Sequence, residues 1–446
     1  MTKPTVCIVS LYAWPLFEPG SGGAFGGSEV RMAAIARGLA ARNALEVRLV
    51  VWDHGQGARV ERDGIELFAW PDAAPPPVST APSVPRRPRF KLSHWARERY
   101  ERGGLSRAIA FVPFHAFGVY SGAVHGWHWA RRRMRAAVMI RDYPVDRSRF
   151  ELLDRIGADV MVVHGANCIT AEIASWCRAR GRPLVFLSGS DYDFDESFKR
   201  YPQKRTIYGD AGYLIAYGIE NATAHVVQTP AQAEALRAVY GREATVVRNP
   251  IDLARKFPRN EDEGTVLWVG KSDAVKRPEL ALELARRIPS LKLHLVMNPS
   301  NAELHQRVEG EAARLPNVRI ERAVPFDEIE SRFARASVFL STSAFEGFPN
   351  TFLQAAKYGV PIASLAVDPG GMLGTHGAGT VADGDLDRLA RSLEGLLGDP
   401  ARRRETGERA LAYAREHHDA QKALAAIEGI VLGAAGVSGT ARAAAG

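Results

Sequence analysis

Short apolar stretches alternate with helical stretches along almost the whole of the 446-residue chain. Each apolar stretch has the length of a buried strand, and a loop and a segment with helical spacing of apolar residues follow it. In the first half these stretches are residues 5–10, 46–52, 65–70, 159–165, 183–189 and 225–229. Because parallel strands need a crossover connection, usually a helix, this order predicts an α/β protein with parallel sheets.

A break near residue 250 divides this series of strands into two. The sequence RNPID at residues 248–252 leads into a charged, irregular stretch, and a second series of strands begins at residue 265. We therefore expect two Rossmann-like halves, residues 1–250 and 251–410, which face a central cleft and bind ligands at the carboxyl ends of their strands. The tail at 433–446 is rich in small residues and is expected to be disordered.

The most informative segment is EGFPNTFLQAAKYGVPI at residues 346–362, which follows the predicted strand at 337–343. A loop with Gly347 and Pro349 opens directly into a helix, so unpaired N–H groups at the helix start would favour a phosphate. Glu346 is better placed to accept hydrogen bonds from hydroxyls beside that phosphate. This combination describes a nucleotide-sugar, although an ordinary strand-turn-helix unit would give the same pattern.

The same segment resembles the signature of family 4 glycosyltransferases, which share the GT-B fold. Their E-x7-E motif begins here at Glu346, which the resemblance implies contacts the donor sugar, and Gln354 stands at the second glutamate, which holds the nucleotide ribose. Gln354 can bond ribose hydroxyls but lacks the charge that roughly doubles the strength of such a bond. The fold also implies a C-terminal helix, about 411–432, that crosses back to the first domain.

The resemblance implies further donor-binding residues. Lys271 and Lys276 follow the strand at 265–270, where the family carries two cations that neutralise the leaving diphosphate, although solvated surface lysines are the common alternative. The implied donor site consists of Gly27, Lys271, Lys276, Glu346, Gly347, Phe348, Asn350, Thr351 and Gln354, and Lys276 and Glu346 are also expected to be catalytic.

Three residues of the first half complete the expected site. Gly26 and Gly27 precede Ser28 in a glycine-rich loop that resembles the family's GG-x-E element, and an ordinary flexible loop is the alternative. His164 ends the strand at 159–165, where the family has a catalytic histidine near the donor sugar. A buried structural histidine would give the same sequence pattern. Asp191 follows the next strand and could bind acceptor hydroxyls or cap a helix.

The composition and charge predict features of the partners, the cellular location and the cofactors of the protein. The net charge is +8, and residues 85–135 mix arginines with aromatic side chains, which suits either an anionic membrane surface or ordinary basic helices. No nucleic-acid-binding module accompanies the charge. No apolar run reaches the roughly 20 residues needed to span a bilayer, and three unpaired-looking cysteines suggest a cytoplasmic setting. We expect no metal cofactor, because the aspartates at 191, 193 and 195 lack the surrounding pattern of a metal-dependent fold.

The sequence thus predicts a retaining, metal-independent glycosyltransferase that moves a sugar from a nucleoside diphosphate to a hydroxyl acceptor, as in cell-surface polysaccharide or glycolipid synthesis. Three alternatives remain: a sugar-nucleotide epimerase on the same fold, a non-catalytic sugar- or partner-binding relative, and a basic RNA-binding protein, which would show a steep salt dependence.

Overall fold

Two mostly parallel sheets form the protein, one in each half of the chain. The structure, a computed structural model, describes residues 3–21, 25–73, 147–322, 324–325 and 328–443. The predicted membrane-facing region at 85–135 therefore lies outside the described residues. Within them, no helix combines the length and the apolar character that crossing a bilayer requires.

The first sheet has eight strands in the order β3-β4-β2-β1-β5-β6-β7-β8, parallel except for the β3–β4 hairpin. Its central strand, β1, is buried along its full length, as expected for a parallel strand covered on both faces. The strands are β1 (Thr5–Val9), β2 (Glu46–Asp53), β3 (Arg59–Arg62), β4 (Ile65–Ala73), β5 (Val160–His164), β6 (Leu184–Leu187), β7 (Ala224–Val227) and β8 (Thr245–Val246).

Helices cover both faces of this sheet. On β1, Val6 and Ile8 pack with the helix that follows the glycine-rich loop, whereas Cys7 and Val9 pack against helices on the opposite face. The helices of this half are α1 (Trp14–Phe17), α2 (Gly27–Arg42), α3 (Arg147–Ile156), α4 (Cys168–Arg180), α5 (Glu196–Arg200), α6 (Gly212–Glu220) and α7 (Pro230–Tyr240).

The second sheet has six parallel strands in the order β11-β10-β9-β12-β13-β14. Leu267 and Trp268, neighbours on β9, face opposite layers of helices and belong to two separate core clusters. The strands are β9 (Thr265–Lys271), β10 (Lys292–Asn298), β11 (Val318–Glu321), β12 (Val338–Ser341), β13 (Ile362–Ser364) and β14 (Gly379–Val381). The helices are α8 (Pro278–Arg287), α9 (Ala302–Ala312), α10 (Ile329–Arg335), α11 (Asn350–Lys357), α12 (Leu386–Gly398) and α13 (Pro400–His417).

A final helix, α14 (Ala420–Ala443), returns to the first sheet, where Ile427 and Val431 are buried in the core beside α2. The two helices approach so closely that a Cβ at Gly38 would lie 2.4 Å from Leu424. The single helix expected over about 411–432 is thus two helices, because the chain breaks at the buried His418. The helix also continues past residue 433, where a disordered tail was predicted, since alanine is the strongest helix former.

Candidate active site at the junction of the two sheets

Two helix N-termini meet where the sheets face each other. Helix α2 begins at Gly27 in the first domain, and helix α11 begins at Asn350 in the second. Asn350 Nδ2 donates a hydrogen bond of 2.6 Å to the carbonyl oxygen of Gly27. The carboxyl ends of β5 and β6, and those of β9 and β12, lead into the loops that contribute the other residues described below. The predicted residues of both halves therefore lie on a common junction.

The loop after β9 brings Lys276 to Glu346. Asp273 Oδ1 accepts hydrogen bonds from the backbone N–H groups of Val275, at 3.0 Å, and Lys276, at 2.8 Å, and so fixes the turn. The Lys276 ammonium group then contacts Glu346 Oε1 in an ion pair whose side chains are 26% and 18% exposed. Partial enclosure strengthens this pair relative to one on the open surface. The two residues are therefore oriented before any ligand arrives.

The end of β12 is joined to the same loop by Thr342. Its hydroxyl lies 2.6 Å from Lys276 O and accepts a hydrogen bond of 2.9 Å from Trp268 Nε1. Arg277 adopts a left-handed backbone conformation with φ of 50° and donates from Nε to Thr342 O at 2.8 Å. Arg277, Thr342 and Asp273 were not predicted from the sequence, because their role is to fix a loop against a neighbouring strand.

Lys271 approaches the other side of the junction. It is the last residue of β9, and a Cβ built on Gly26 would lie 3.0 Å from its Nζ. Gly26 N donates a hydrogen bond of 2.6 Å to Glu29 Oε2, which orients the start of α2. Lys271 forms no ion pair among the residues that the structure describes. The two lysines thus approach different parts of the junction, Lys276 at Glu346 and Lys271 at the glycine loop.

The start of α11 carries free backbone donors. Pro349 precedes the helix without providing a side-chain cap, and its carbonyl oxygen accepts from Phe352 N at 3.0 Å; among the described residues the N–H groups of Asn350 and Thr351 have no acceptor. Thr351 and Gln354 are half-buried and lie one turn apart, on the same face of α11. An anion at this point would gain both from the helix dipole and from the N–H groups.

Phe348 and Gly347 are placed differently from the other predicted donor-binding residues. The Phe348 ring is buried, with its centroid 4.3 Å from that of His418, and its N–H donates to Gln228 Oε1 at 2.9 Å. Gly347 passes so close to the first domain that a Cβ would lie 2.7 Å from Gln228 Nε2. Both residues therefore hold the loop in place against the first domain, and the Phe348 ring and N–H are already engaged by His418 and Gln228. Asn249, from the segment that joins the domains, donates to Phe348 O at 3.0 Å.

His164 ends β5 and lies against the end of β6, with Cε1 3.3 Å from the position of a Cβ on Gly189. Enclosure at this position, with a smaller contribution from the Arg31 guanidinium, lowers the pKa of His164 to about 3. The imidazole is therefore neutral at ordinary pH and can donate one hydrogen bond and accept another.

The three aspartates after β6 do not converge. Asp191 is exposed and accepts a hydrogen bond of 2.9 Å from Gln232 Nε2. Asp193 is buried and accepts from Gly189 N at 2.6 Å, and its burial raises its pKa to about 6. Asp195 caps helix α5 through Ser197 N. Among the described residues, no three histidine, cysteine, aspartate or glutamate side chains are grouped to hold a metal ion.

Two parallel α/β domains that meet at a common junction, with a C-terminal helix that returns to the first domain, define the GT-B architecture, and comparison with solved structures agrees. Sucrose-phosphate synthase from Thermosynechococcus elongatus superposes with a TM-score of 0.65 at 16% identity, over 96% of this chain and 98% of that one. The N-terminal domain of Candida albicans trehalose-6-phosphate phosphatase gives 0.58 at 12% identity, over 97% of each chain. At these identities the likeness concerns the fold alone.

Sequence comparison finds similarity in the second domain. Residues 263–399 match the family described as Glycosyl transferases group 1. The lipopolysaccharide 1,6-galactosyltransferase of Salmonella typhimurium is 29% identical over 213 residues, 46% of this chain and 55% of that protein. The D-inositol 3-phosphate glycosyltransferase of Mycobacterium avium is 30% identical over 152 residues, 31% of this chain and 35% of that protein. Each match covers less than two thirds of the relative.

These findings confirm the resemblance to family 4 glycosyltransferases and the GT-B fold that it implied. The matched region contains Lys271, Lys276, Glu346 and Gln354, that is, the second-domain side of the junction. The residues contributed by the first domain lie outside that match.

Proposed function

We propose that the protein is a retaining glycosyltransferase that moves a sugar from a nucleoside diphosphate donor to a hydroxyl acceptor. The observation that carries this proposal is the contact between Lys276 and Glu346 beside the uncapped start of α11. A cation next to free backbone donors suits a diphosphate, and a carboxylate beside it suits the hydroxyls of the attached sugar. The adjoining positions of the two groups match the adjoining parts of a nucleotide-sugar.

The departing diphosphate is the group that most needs stabilisation in this reaction. Negative charge grows on its oxygen as the bond to the sugar breaks, and fixed cations and N–H groups lower the energy of that charge. Lys271, Lys276 and the first turn of α11 would supply these groups. In the unliganded protein Glu346 holds Lys276, so the donor diphosphate must compete with this carboxylate for the lysine.

Retention of anomeric configuration without a covalent intermediate requires the acceptor to approach from the face that the diphosphate leaves. In our proposal the departing phosphate takes the acceptor proton, and the neutral His164 orients a sugar hydroxyl from the first domain. Asp191 and Gly26 would lie on the acceptor side. A hydroxyl acceptor on a saccharide or glycolipid of the cell surface is supported by the similarity to the lipopolysaccharide 1,6-galactosyltransferase. The cytoplasmic location and the contact with a membrane surface stay predictions.

A ligand panel tests the donor class. The melting temperature of the protein is measured with UDP, GDP and ADP and with sugars carried on each. We expect one nucleotide series to stabilise the protein. Lys276→Ala should lower the affinities for the free nucleotide and for the nucleotide-sugar by the same factor. That factor is roughly thirtyfold if the substitution removes one charged hydrogen bond of about 2 kcal/mol.

A matched control variant tests the specificity of the panel, and the reaction products decide between the alternative functions. Lys422→Ala removes an exposed lysine of α14 and should leave the panel unchanged. Nucleotide-sugar binding without transfer to any acceptor and without hydrolysis would favour the non-catalytic relative. Epimerised donor in the mixture would identify the epimerase. If no nucleotide changes the melting temperature, the proposed donor site is wrong.

A further inference from the structure

One buried side chain of the first domain holds the loop that carries Glu346. Gln228 follows β7, is 2% exposed, and uses both ends of its amide group. Its Oε1 accepts from Phe348 N at 2.9 Å, across the domain boundary. Its Nε2 donates to two carbonyl oxygens at the end of β6, Ser188 O at 2.8 Å and Gly189 O at 3.1 Å. The amide thus uses both N–H donors within the first domain and its oxygen to hold the second domain.

The residues on both sides of Glu346 touch the first domain. Before it, the Phe345 ring stacks on Tyr192, with centroids 5.1 Å apart and an interplanar angle of 22°. After it, a Cβ on Gly347 would lie 2.8 Å from Gly189 O, which leaves room only for glycine. The position of Glu346 is therefore set by contacts with the first domain on both sides of it, in addition to its ion pair with Lys276.

The support behind Gln228 is rigid. Its backbone N–H donates to Gln232 Oε1 at 2.8 Å, and the Ser188 hydroxyl donates to the same oxygen at 2.8 Å. The Ser188 carbonyl also accepts a bond of 2.7 Å from the buried Arg31, which lies on α2 just after the glycine loop. A rotation of the Gln228 amide would leave buried polar groups without partners, which is costly. The amide therefore has one favourable orientation.

We propose that Gln228 is a positioning residue that couples the approach of the two domains to the correct placement of Glu346 and the start of α11. This inference rests on the proposed donor site. Separation of the domains must break the bond to Phe348, whereas closure restores it. If only the closed arrangement binds donor well, the apparent dissociation constant rises as the closed fraction falls. Gln228 would thus govern donor affinity without touching the donor.

Hydrogen exchange measured by mass spectrometry tests the anchoring in the unliganded protein. Gln228→Leu keeps the approximate size of the side chain and removes all three hydrogen bonds. Peptides that contain residues 346–352 should exchange at least about tenfold faster in this variant, because the Phe348 amide loses its acceptor. Peptides from β9 and β12 should keep the wild-type rate. Gln421→Leu, on an exposed face of α14, is the matched control and should change neither.

Donor affinity tests the coupling. For Gln228→Leu we expect the KM of the nucleotide-sugar to rise roughly tenfold while kcat changes by less than about threefold, the pattern of a lost closed population. Asn249→Ala breaks the bond to the carbonyl oxygen of the same residue, Phe348, so the effects of the two substitutions should not add.

The outcomes separate the two proposals. Unchanged exchange in the 346–352 peptides, or faster exchange throughout the protein, would overturn the role of Gln228. Faster exchange in the loop with an unchanged KM would overturn its coupling to donor binding. If the wild-type protein binds no nucleotide-sugar, the proposed function fails, and the exchange comparison alone still decides whether Gln228 anchors the loop.

Discussion

Lys276 and Glu346, 70 positions apart in the chain, form an ion pair where the loops after β9 and β12 meet. The pair joins the residue expected to bind the diphosphate to the residue expected to bind the sugar. Each therefore restrains the other until a ligand competes for them. Substitution of Glu346 should consequently affect the free nucleotide and the sugar-bearing donor differently, whereas substitution of Lys276 should weaken the binding of both.

Glu346→Gln should change the affinities for these two ligands in different ways. The amide keeps the shape of the side chain but no longer holds Lys276 by charge, so the lysine becomes freer to bind phosphate. We expect the affinity for free nucleoside diphosphate to stay equal or to increase, and the affinity for the nucleotide-sugar to fall roughly tenfold or more through loss of a charge-assisted bond. Isothermal titration with both ligands measures the ratio. Glu303→Gln, on an exposed part of α9, should leave it unchanged; equal losses for both ligands would contradict the assignment.

Gln354→Glu restores the second glutamate of the family motif. Gln354 is half-buried on the same face of α11 as Thr351. If residue 354 faces the ribose, a charged acceptor should raise the affinities for the nucleotide and for the nucleotide-sugar by the same factor. The factor should be several-fold, because the charge-assisted bond is roughly twice as strong. Parallel titrations with the two ligands measure this. A gain for the sugar-bearing ligand alone would place Gln354 near the sugar instead.

Gly347→Ala should destabilise the junction between the domains. The new Cβ would lie 2.7 Å from Gln228 Nε2 and 2.8 Å from Gly189 O, closer than such contacts allow. Overpacking of this kind costs about 1–3 kcal/mol. Gly310→Ala is a matched control, because a Cβ there meets nothing within 4 Å and α9 should gain up to about 1 kcal/mol. Chemical denaturation of both variants measures the free energies of unfolding; equal stability of the Gly347→Ala variant and wild type would contradict the close approach.

The stability of the protein should fall in acid partly because of His164. Its pKa is about 3 in the folded protein, below the ordinary value of 6.5, so the unfolded chain binds the proton more readily. The stabilisation from a neutral His164 is therefore complete above pH 6.5 and is lost as pH falls toward 3. His164→Gln should lose less stability than wild type between pH 7.5 and 4.5 in denaturant titrations. Asp193, whose raised pKa acts in the opposite direction below pH 6, is common to both proteins and cancels in the comparison. A parallel decline of the two proteins would show that His164 is not held neutral.

Transfer should not require a divalent cation, because two lysines and the start of α11 are proposed to stabilise the departing diphosphate. Activity is measured in EDTA and then with added Mg²⁺ or Mn²⁺. We expect the rates to agree within about twofold, whereas removal of a metal that stabilises developing charge would cost several kcal/mol of that stabilisation. A rate that vanishes in EDTA and returns with one cation would overturn this expectation.

Much of the fold could be predicted because buried parallel strands are continuous apolar runs. Strands β1, β5, β9 and β12 were all visible in this way, and with them the two-sheet division and the carboxyl ends that lead to the site. The short strands β3, β8 and β14 were not, since they are largely exposed or only partly buried and carry little apolar signal. The extent of α14 was misjudged for the converse reason, because small residues resemble a linker in composition yet favour a helix.

The residues of the site were predictable only where a charged or polar side chain lies within a few residues of a recognisable turn. The segment at 346–362 and the two lysines after β9 could be found in the sequence alone, because a strand, a loop and a helix start fix their relative positions locally. Gln228, Asn249 and Thr342 could not, since an amide or a hydroxyl has no pattern that reveals a partner 66 to 120 residues away. Phe348 was expected to face a ligand, but the core beside His418 holds its ring.

The sequence by itself determined which segments become strands and helices, and which residues carry charge near a helix start, because periodicity and turn chemistry are local properties. Only the tertiary structure decided that Lys276 meets Glu346, that Lys271 reaches the glycine loop, and that Gln228 holds Phe348 from the opposite domain. These contacts depend on how two sheets and a returning helix pack against each other. Packing depends on many weak contacts between residues that are far apart in the sequence, so no single stretch of sequence encodes it.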